Sequence, residues 1–364
     1  MQIRELLSFF NQWAPFQLAE DYDNVGLLVG KPETEINGVL VSLDATEDVV
    51  DEAIARNCNV VVSHHPILFK GLKKLNGQNY VARCVEKAIR NGVALVAVHT
   101  NLDHILTGVN HQIAERLGLI ETRVLRPIKN QLMKLEYFIP HSHHEAVLAS
   151  VHAAGAGNIG HYSECSFSTV GKGRFTPNEG ANPFSGKVGQ PEETEELKVE
   201  IIFPKLIFST VMSALKEAHP YEEVAYMASN VENSWQDAGA GMIGKLPQPM
   251  SQNDWLAFLK RQLSVSVVKY TRPLTDQIET VAVCGGSGFF LLGDAKAAGA
   301  DVFVTADVKY HEFFDAEDQI QLMDVGHFES EQFTSSLIIE KLSIQFPNIA
   351  VLLSETKTNP VFYA

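Results

Sequence analysis

Histidines and acidic residues gather in four short clusters, each at the end of a stretch whose apolar pattern predicts a strand. The clusters are Ser63-His64-His65-Pro66, His99 to His104, Asp307 to His311, and His327 to Glu331. Imidazole and carboxylate ligands together suit zinc, manganese or iron. In open α/β sheets the chemistry lies beyond the carboxyl ends of the strands, so we expect these clusters to meet in one metal site.

The two consecutive histidines are the first informative pair. On a regular strand, the side chains of His64 and His65 would point to opposite faces of the sheet. Pro66 keeps His65 extended, and at the strand end the pair can splay across one pocket. Each of the two histidines could then hold a different metal ion.

The remaining candidate ligands come from two other clusters. His327 and Glu331 are four residues apart, so they share one face if a helix begins at His327. Asp103 completes a set of five, whereas a catalytic zinc usually has three protein ligands. A bridging carboxylate would make the set suitable for two ions. Two ions about 3.5–4 Å apart can activate a water molecule and hold a phosphate or carbonyl oxygen.

Structural roles are the alternative for several of these residues. A single histidine at a strand end more often makes a structural hydrogen bond than binds a metal. The GGSG stretch at 285–288 could bind phosphate at a helix N-terminus, but it lacks the full G-x-G-x-x-G spacing, and a tight turn is favoured. His141, His143 and His144 fall at a predicted strand-to-helix turn, which favours an exposed polar turn.

Short apolar strands alternate with helices over the first 127 residues, a pattern typical of a parallel α/β sheet. The predicted strands are 25–30, 38–44, 58–65 and 93–100. Thr46 is predicted to cap the helix after the second of them, and another helix is predicted over 81–90. The same alternation resumes after residue 236, with helices predicted at 252–262, 290–298, 311–316 and from about 329 to 344.

The middle of the chain has a different pattern. Residues 134–140 and 196–204 alternate like half-exposed antiparallel strands, each is followed by a helical stretch, and a glycine-rich, turn-rich span lies between them. We therefore predict a small α+β domain of the ferredoxin-like type over 128–236. It would interrupt an α/β core made of 1–127 and 237–364. An internal repeat, 38–67 against 280–309, predicts that this core consists of two similar halves.

Composition narrows the class of protein. Twenty-nine Lys and Arg stand against 44 Asp and Glu, a formal net charge of −15, which disfavours non-specific binding of nucleic acid. The four cysteines form no C-x-x-C motif. The N-terminus lacks the pattern of a signal peptide, and the longest apolar run, 93–98, is too short to span a bilayer. We predict a cytoplasmic protein that is not bound to a membrane.

Six motifs together resemble the Ngg-interacting-factor-like family, also called type 2 homologues of GTP cyclohydrolase I. They are YDNVGLLVG (22–30), VVVSHHPILF (60–69), VAVHTNLDH (96–104), GGSG (285–288), TADVKYHEFFDA (305–316) and GHFESE (326–331). The resemblance covers nearly the whole chain. The middle segment, which includes AHPYEE, resembles the insert of the longer members, which is similar to CutA and PII-type signalling domains.

The resemblance implies a site with two divalent metal ions per chain. His64 and Asp103 would hold one ion, His65 and His327 the other, and Glu331 would bridge both. It also implies a toroidal homohexamer with sites that face an internal cavity. His99, Asp307 and His311 match family positions that line the cavity. For proton transfer we consider His99, His311 and Glu329.

The family name implies hydrolytic ring opening of GTP or a related nucleotide with release of formate, by metal-activated water. A metal-dependent phosphoesterase is a close alternative, and it would release free phosphate instead. A second alternative is a metal-binding regulatory scaffold or metal-delivery protein without turnover. The residues leave open whether zinc, iron or manganese is bound.

Overall fold

The computed structural model describes residues 1–364, which divide into two compact units, 1–126 with 238–364, and 127–237. The strands are β1 (Gly26–Val29), β2 (Gly38–Asp44), β3 (Val60–His65), β4 (Ala94–Ala97), β5 (Ile120–Ile128), β6 (Leu132–Pro140), β7 (Ser166–Phe175), β8 (Glu192–Pro204), β9 (Tyr226–Val231), β10 (Trp235–Ser251), β11 (Lys269–Tyr270), β12 (Gln277–Val283), β13 (Val302–Thr305), β14 (Gln321–Asp324) and β15 (Ala350–Leu353). The α-helices are α1 (Ile3–Trp13), α2 (Glu47–Ala55), α3 (Tyr80–Arg90), α4 (Thr100–Asp103), α5 (Val109–Arg116), α6 (His144–Ala153), α7 (Phe208–Ala218), α8 (Gln252–Leu263), α9 (Leu292–Ala297), α10 (His327–Glu331) and α11 (Thr334–Gln345). None of them combines the length and apolar character needed to cross a membrane.

The first sheet has the order β1-β4-β3-β2-β15, in which all neighbours run parallel except β1, which is antiparallel to β4. Its central strands are apolar on both faces because helices cover both faces. Leu40 and Val61 pack in one cluster with residues of α2 and α3, whereas Val39 and Val60 pack in another with residues of α1. The Thr46 side chain caps α2 by accepting a hydrogen bond from the Val49 amide, as predicted.

The second sheet has the order β11-β14-β13-β12-β10-β5. Strands β12, β13 and β14 are parallel, and β10 and β11 pair antiparallel with their neighbours. The predicted α/β class is confirmed, but each sheet is mixed rather than parallel throughout. One apolar cluster includes Val62 and Val96 of the first sheet and Val283 and Val304 of the second, so both sheets contribute to one core.

Two predicted helices differ from the structure near the metal-ligand candidates. The helix expected from about 329 to 344 is divided into α10 and α11, with Gln332 and Phe333 between them. Helix α10 begins at His327, two residues earlier than expected, because the turn at Gly326 has a positive φ of 92° that starts it there. The segment predicted as a helix over 311–316 is a 3₁₀-helix, Tyr310–Ala316.

Residues 127–237 form the second unit, an antiparallel sheet of order β7-β8-β6-β9 with helices α6 and α7. Its elements follow one another as β6-α6-β7-β8-α7-β9, and Leu135, Tyr137, Val199 and Val211 lie in its apolar cluster. The glycine-rich, turn-rich span contains strand β7. Strand β7 is at the sheet edge, where glycine is tolerated. A side chain at Gly173 would collide with the buried Glu196 carboxylate.

Candidate metal centre

Three segments of the larger unit bring the five predicted metal ligands together. His64 and His65 are the last two residues of β3, Asp103 ends α4, and His327 and Glu331 are the first and last residues of α10. His64 is completely buried, and Glu331 is 3% exposed. The i,i+4 spacing in α10 puts both of its candidate ligands on one face, as predicted.

The two carboxylate oxygens of Glu331 face different partners. Oε2 lies 2.9 Å from His65 Nε2 and 3.1 Å from His327 Nε2. Oε1 lies 3.8 Å from His64 Nε2, which is itself 3.7 Å from Asp103 Oδ1. His65, His327 and Glu331 form one group that could hold a metal ion, and His64, Asp103 and Glu331 form another. Glu331 is common to both of these groups, whereas a third possible group, His64, His65 and His99, lacks it.

Two atoms at this site lack any hydrogen-bond partner although they are buried, His64 Nε2 and Asp103 Oδ1. Unpaired buried polar atoms are costly and require an explanation. The other ring nitrogen of His64, Nδ1, lies 2.8 Å from the Val98 carbonyl, to which it can donate, so Nε2 is free to bind a metal. With ligand distances of about 2.0–2.2 Å, two ligands of one tetrahedral ion are roughly 3.4 Å apart. The separation of 3.7 Å therefore fits a shared ion.

Carboxylates contact the Nδ1 atoms of the other two candidate histidines, His65 and His327, and so orient both rings in the same way. His65 Nδ1 is 2.7 Å from Asp44 Oδ1, and His327 Nδ1 is 2.7 Å from Asp307 Oδ2. In both rings, Nε2 is therefore directed toward Glu331. A carboxylate on the far nitrogen of a histidine is a common second partner of a metal ligand, since it fixes the tautomer and raises ligand basicity.

Without a metal ion, these histidines pair with carboxylates as cations. Burial alone would lower the pKa of His65, but hydrogen bonds to Asp44 and Glu331 outweigh burial and raise it to about 9. Hydrogen bonds to Asp307 and Glu331 likewise overcome burial and raise the pKa of His327 to about 11. A metal ion must displace these protons, so metal binding should weaken as the pH falls.

The carboxyl groups of Asp103 and Glu331 differ in their pKa shifts. Burial, followed by the charge of Glu331, raises the pKa of Asp103 to about 7. Burial also acts on Glu331, but hydrogen bonds from the histidines, His327 first, lower its pKa well below the usual value. The imidazoles thus favour the ionised form of Glu331, whereas Asp103 has no cation close enough to outweigh its burial. A cation bound between the two would stabilise the ionised form of Asp103 as well.

The glycines of the GGSG stretch allow close approach to Glu331. A side chain at Gly286, whose φ is +59°, would collide with Glu331 Oε1, and one at Gly285 would lie 3.3 Å from Glu331 Cγ. The sequence favoured a tight turn here. The structure adds the reason for glycine, which is that a buried carboxylate packs directly against the loop.

His99 and Glu329, two of the three residues considered for proton transfer, line the same cavity. His99 Nδ1 is 2.9 Å from Asp23 Oδ2, and the Thr100 hydroxyl donates to the same carboxylate oxygen. Burial opposes ionisation of Asp23, but these hydrogen bonds, that of His99 first, lower its pKa well below the usual range. Glu329 Oε1 accepts a hydrogen bond of 3.2 Å from the Asn359 amide.

His311, the third residue considered for proton transfer, lies elsewhere. It is exposed on the 3₁₀-helix Tyr310–Ala316, and its ring stacks on Phe314 with centroids 6.3 Å apart. It does not line the cavity in this chain. Its catalytic role therefore stays a prediction without support from the geometry of a single chain.

Sequence reasoning missed Asp23 and Asp44 as partners of the histidines. A signal for Asp44 was present, because β2 and β3 are parallel neighbours and Asp44 is directly opposite His65 in the register. An alignment of the strand ends SLD (42–44) and SHH (63–65) would have placed Asp44 beside His65. Asp23 lies in an irregular segment before β1, where no periodic pattern could indicate its contact with His99.

The site opens into a cavity of about 1160 Å³. One wall comes from the segment that follows β15, which we call the C-terminal segment, residues 354–363. Its cavity-lining residues are Thr358, Asn359, Pro360, Val361 and Tyr363. The Thr358 hydroxyl donates to Asp44 Oδ2 at 2.6 Å, so this segment also supports the carboxylate that orients His65.

The fold and this histidine–carboxylate centre define a class of α/β proteins with a cavity whose side chains could hold a metal ion. The chain belongs to the Duf34/NIF3 (NGG1p interacting factor 3) family, whose profile matches residues 1–360. The resemblance inferred from the sequence motifs is thereby confirmed.

Two curated relatives carry the name GTP cyclohydrolase 1 type 2 homolog. The one from Bacillus subtilis is 37% identical over 363 residues, covering 98% of this chain and 97% of the relative. The one from Halalkalibacterium halodurans is 39% identical over 339 residues, covering 93% and 91%. Among solved structures, a Bacillus cereus protein related to NIF3 has a TM-score of 0.87 and 36% identity, and covers 100% of this chain and 99% of its own.

Proposed function

We propose that this protein is a dinuclear-metal-dependent hydrolase that opens the ring of a nucleotide-type substrate, GTP or a related compound. The observation that carries the proposal is the position of the Glu331 carboxylate. One of its oxygens faces His64 and Asp103, and the other faces His65 and His327. The names of the curated relatives support a nucleotide as the substrate.

The residues that would hold the ions are His64 with Asp103 for one and His65 with His327 for the other, with Glu331 shared. Two divalent ions, with zinc, iron and manganese as candidates, would supply Lewis acidity and lower the pKa of water at the site. So few protein ligands per ion leave positions for substrate and water.

Proton transfer is assigned to His99, because Asp23 holds its Nδ1 and leaves Nε2 as the nitrogen that can exchange a proton. Glu329 is buried beside the site and is the second candidate. The carboxylates of Asp44 and Asp307 orient His65 and His327 from behind. In this way the chain's own residues fix the site before substrate binds.

The experiment begins with metal content per chain, by elemental analysis of protein purified without added metal or chelator. About two equivalents are expected. Turnover is then measured on GTP and related nucleotides by the release of formate, and free phosphate is measured in parallel. Formate release that is lost in Glu331→Gln supports ring opening, whereas phosphate release alone would indicate a phosphoesterase. Bound metal without turnover on any compound would favour a metal-binding scaffold.

Two further proposals concern the whole chain. We propose that residues 127–237 are an inserted domain of the ferredoxin-like type, which is supported by their βαββαβ element order and by the order β7-β8-β6-β9 of the sheet.

On the basis of the family resemblance, we also propose that the protein forms a homohexamer. Light scattering coupled to size exclusion tests the assembly, since six copies of a 40.2 kDa chain differ clearly from one.

A further inference from the structure

We infer that the metal cavity is built for a purine-type aromatic ring and has no subsite for a polyphosphate. This inference rests on the proposed function in one respect, that the substrate ring is the part that reaches the metal ligands. It narrows the substrate class of that function, because a nucleoside or a base can supply the ring without a triphosphate. The inference depends on what lines the cavity.

Aromatic side chains are the most frequent large residues on the cavity wall. They are Tyr22, Phe69, Tyr80, Phe290, Phe328 and Tyr363. Several leave much of the ring uncovered, with Tyr22 69% exposed, Phe290 51% and Tyr363 48%. Phe69 packs edge-on against His99 with centroids 5.5 Å apart, so one of these rings lies directly beside the proposed proton-transfer residue. Uncovered aromatic faces around a cavity suit a planar ring, which can stack on them.

The charge of the same wall is strongly negative. Seven carboxylates line it, those of Glu20, Asp44, Asp103, Asp307, Asp324, Glu329 and Glu331. The one lysine or arginine among the lining residues is Lys269, and its ammonium group is 2.5 Å from the buried Asp324 carboxylate. Even two divalent ions would leave this wall net negative, so a triphosphate would be repelled rather than held.

The backbone amides of the GGSG stretch do not supply the missing anion site. In the GGSG stretch, 285–288, three of the four amides already donate to side chains within the core. The bonds are Gly285 to Asn110 Oδ1 at 3.0 Å, Gly286 to Ser330 Oγ at 2.9 Å, and Gly288 to Thr305 Oγ1 at 2.9 Å. A phosphate cradle requires several free amides that point at the ligand, and in this loop only the Ser287 amide is not engaged by a side chain.

The carboxylates instead suit the N–H donors of a heterocycle. Glu20 lines the cavity with its side chain 43% exposed, at 3.4 Å from His104 Nε2, and offers an acceptor to an exocyclic amino group or a ring N–H. Lys70, Lys73 and Lys74 follow Phe69 in the chain, but none of them lines the cavity. Their positive charges could contradict the inference, and the experiment includes them.

The test is calorimetric titration of the full-length protein with guanosine, GMP and GTP, and with adenosine and ATP as a second series. Metal content is measured before and after each titration, because triphosphates can remove metal ions. We expect a nucleoside to bind, and each triphosphate to bind at least about 10-fold more weakly at low salt, a difference that shrinks as salt screens the repulsion. A triphosphate that binds as tightly as its nucleoside, or no binding of either nucleoside, would overturn the inference.

Chelator-treated protein separates this inference from the proposed function. Removal of two divalent ions takes away four positive charges, of which His65 and His327 together can restore only two. The wall therefore becomes more negative, and discrimination against the triphosphate should increase in the treated protein. If the protein never binds metal, the dinuclear site fails while the discrimination persists. If discrimination reverses when the metals are bound, the ions recruit phosphate and the inference is wrong although the metal site stands.

Two sets of variants locate the binding. Tyr363→Ala should weaken nucleoside binding by about 10-fold through the loss of a stacking surface. Its neighbour Phe362 is 91% exposed and does not line the cavity, so Phe362→Ala is a matched control that should bind as the wild type does. Simultaneous replacement of Lys70, Lys73 and Lys74 by Ala should leave the ratio of nucleoside to triphosphate affinity unchanged at physiological salt, where the charges of these exposed side chains are screened. A loss of triphosphate binding in that variant would place a phosphate subsite on their loop and overturn the inference.

Discussion

The two units of this chain both carry histidines and ion pairs, but their surroundings differ. In the larger unit, His64 and Glu331 are buried, Asp103 is partly buried, and the three side chains face one another beside a cavity. In residues 127–237, three histidines stand at 141, 143 and 144, on a turn and the start of α6, and they join no candidate metal group. Closeness in the sequence is therefore not enough to make histidines a candidate metal site. They must also lie where several segments of the chain converge.

The acidic residues of the two units differ in the same way. Glu136 of β6 pairs with Lys134 and Lys198 on the partly exposed side of its sheet, where salt screens each charge. Glu331 is itself buried, pairs with the imidazoles of His65 and His327, and has no lysine or arginine as an ion-pair partner. The first arrangement is a surface network of ion pairs, and the second is one that a metal ion could occupy.

Of the variants that test this difference between the two units, replacement of Glu331 should have the largest effect on metal content. Glu331→Ala removes the carboxylate common to both candidate metal groups, so both ions should be lost together. Elemental analysis should fall from about two equivalents to near zero. Glu200→Ala, which removes an ion pair with Lys134 on the other unit, should leave metal content unchanged. A full metal complement in Glu331→Ala would rule out the bridging role.

Gly286→Ala should have the next largest effect. The added methyl group would collide with Glu331 Oε1, and the φ of +59° strains any residue with a side chain. We expect a loss of metal affinity together with about 1 kcal/mol or more of unfolding free energy. Gly293→Ala is the control, because that glycine lies in α9 with open space around it. Equal metal affinity in both variants would show that the loop does not position the carboxylate.

Asp44→Asn tests the orientation of one candidate ligand. The amide can keep the contact with His65 Nδ1 but no longer supplies a negative charge, so metal affinity should fall by about 10-fold to 100-fold. Of the two ions, the one next to His65 and His327 should be lost at the lower chelator concentration. Competition with a chromogenic chelator measures this. Thr358→Val, which removes the hydroxyl that supports Asp44, should give a smaller shift in the same direction.

The C-terminal segment should loosen in acid through Glu52. Burial alone would raise the pKa of Glu52, but hydrogen bonds from Ser354 and Thr356 lower it to about 2 from an ordinary value of 4.5. Because the pKa is lowered in the folded state, this stabilisation is present above pH 4.5 and is lost as the pH falls toward about 2.

Amide hydrogen exchange of residues 354–358 measures this loosening. Protection should fall across that pH interval in the wild type, relative to amides of β3. In Glu52→Gln it should be lower from the start and change less with pH, since no carboxylate titrates there. An identical pH dependence in the two proteins would show that Glu52 does not anchor the segment.

Glu136→Gln should have the smallest effect. Hydrogen bonds from Lys134 and Lys198 lower the pKa of Glu136 to about 2, so its stabilisation is present above pH 4.5 and is lost in acid. Its partly exposed position predicts a small change in thermal midpoint that disappears at high salt. Metal content should stay at the wild-type value. A change in metal content would contradict the separation drawn between the two units.

Local sequence patterns predicted much of the fold and the members of the candidate site. The unbroken apolar runs of β2, β3 and β4 predicted buried strands, and the helical spacing of His327 and Glu331 placed both on one face of α10. The patterns failed at β7, where glycines indicated turns although an edge strand formed. They also failed to divide α10 from α11, since periodicity alone does not mark a break of two residues.

The sequence by itself determined which residue types were available for metal binding and on which strand ends they would lie. Tertiary structure decided the partnerships: Asp23 with His99, Asp44 with His65, and the glycine loop against Glu331. These contacts join residues far apart in the chain, and no local periodicity encodes them. The cavity wall, with its seven carboxylates and one paired lysine, likewise emerges only when two sheets and the C-terminal segment meet, because charge around a site depends on distance in space rather than on spacing along the chain.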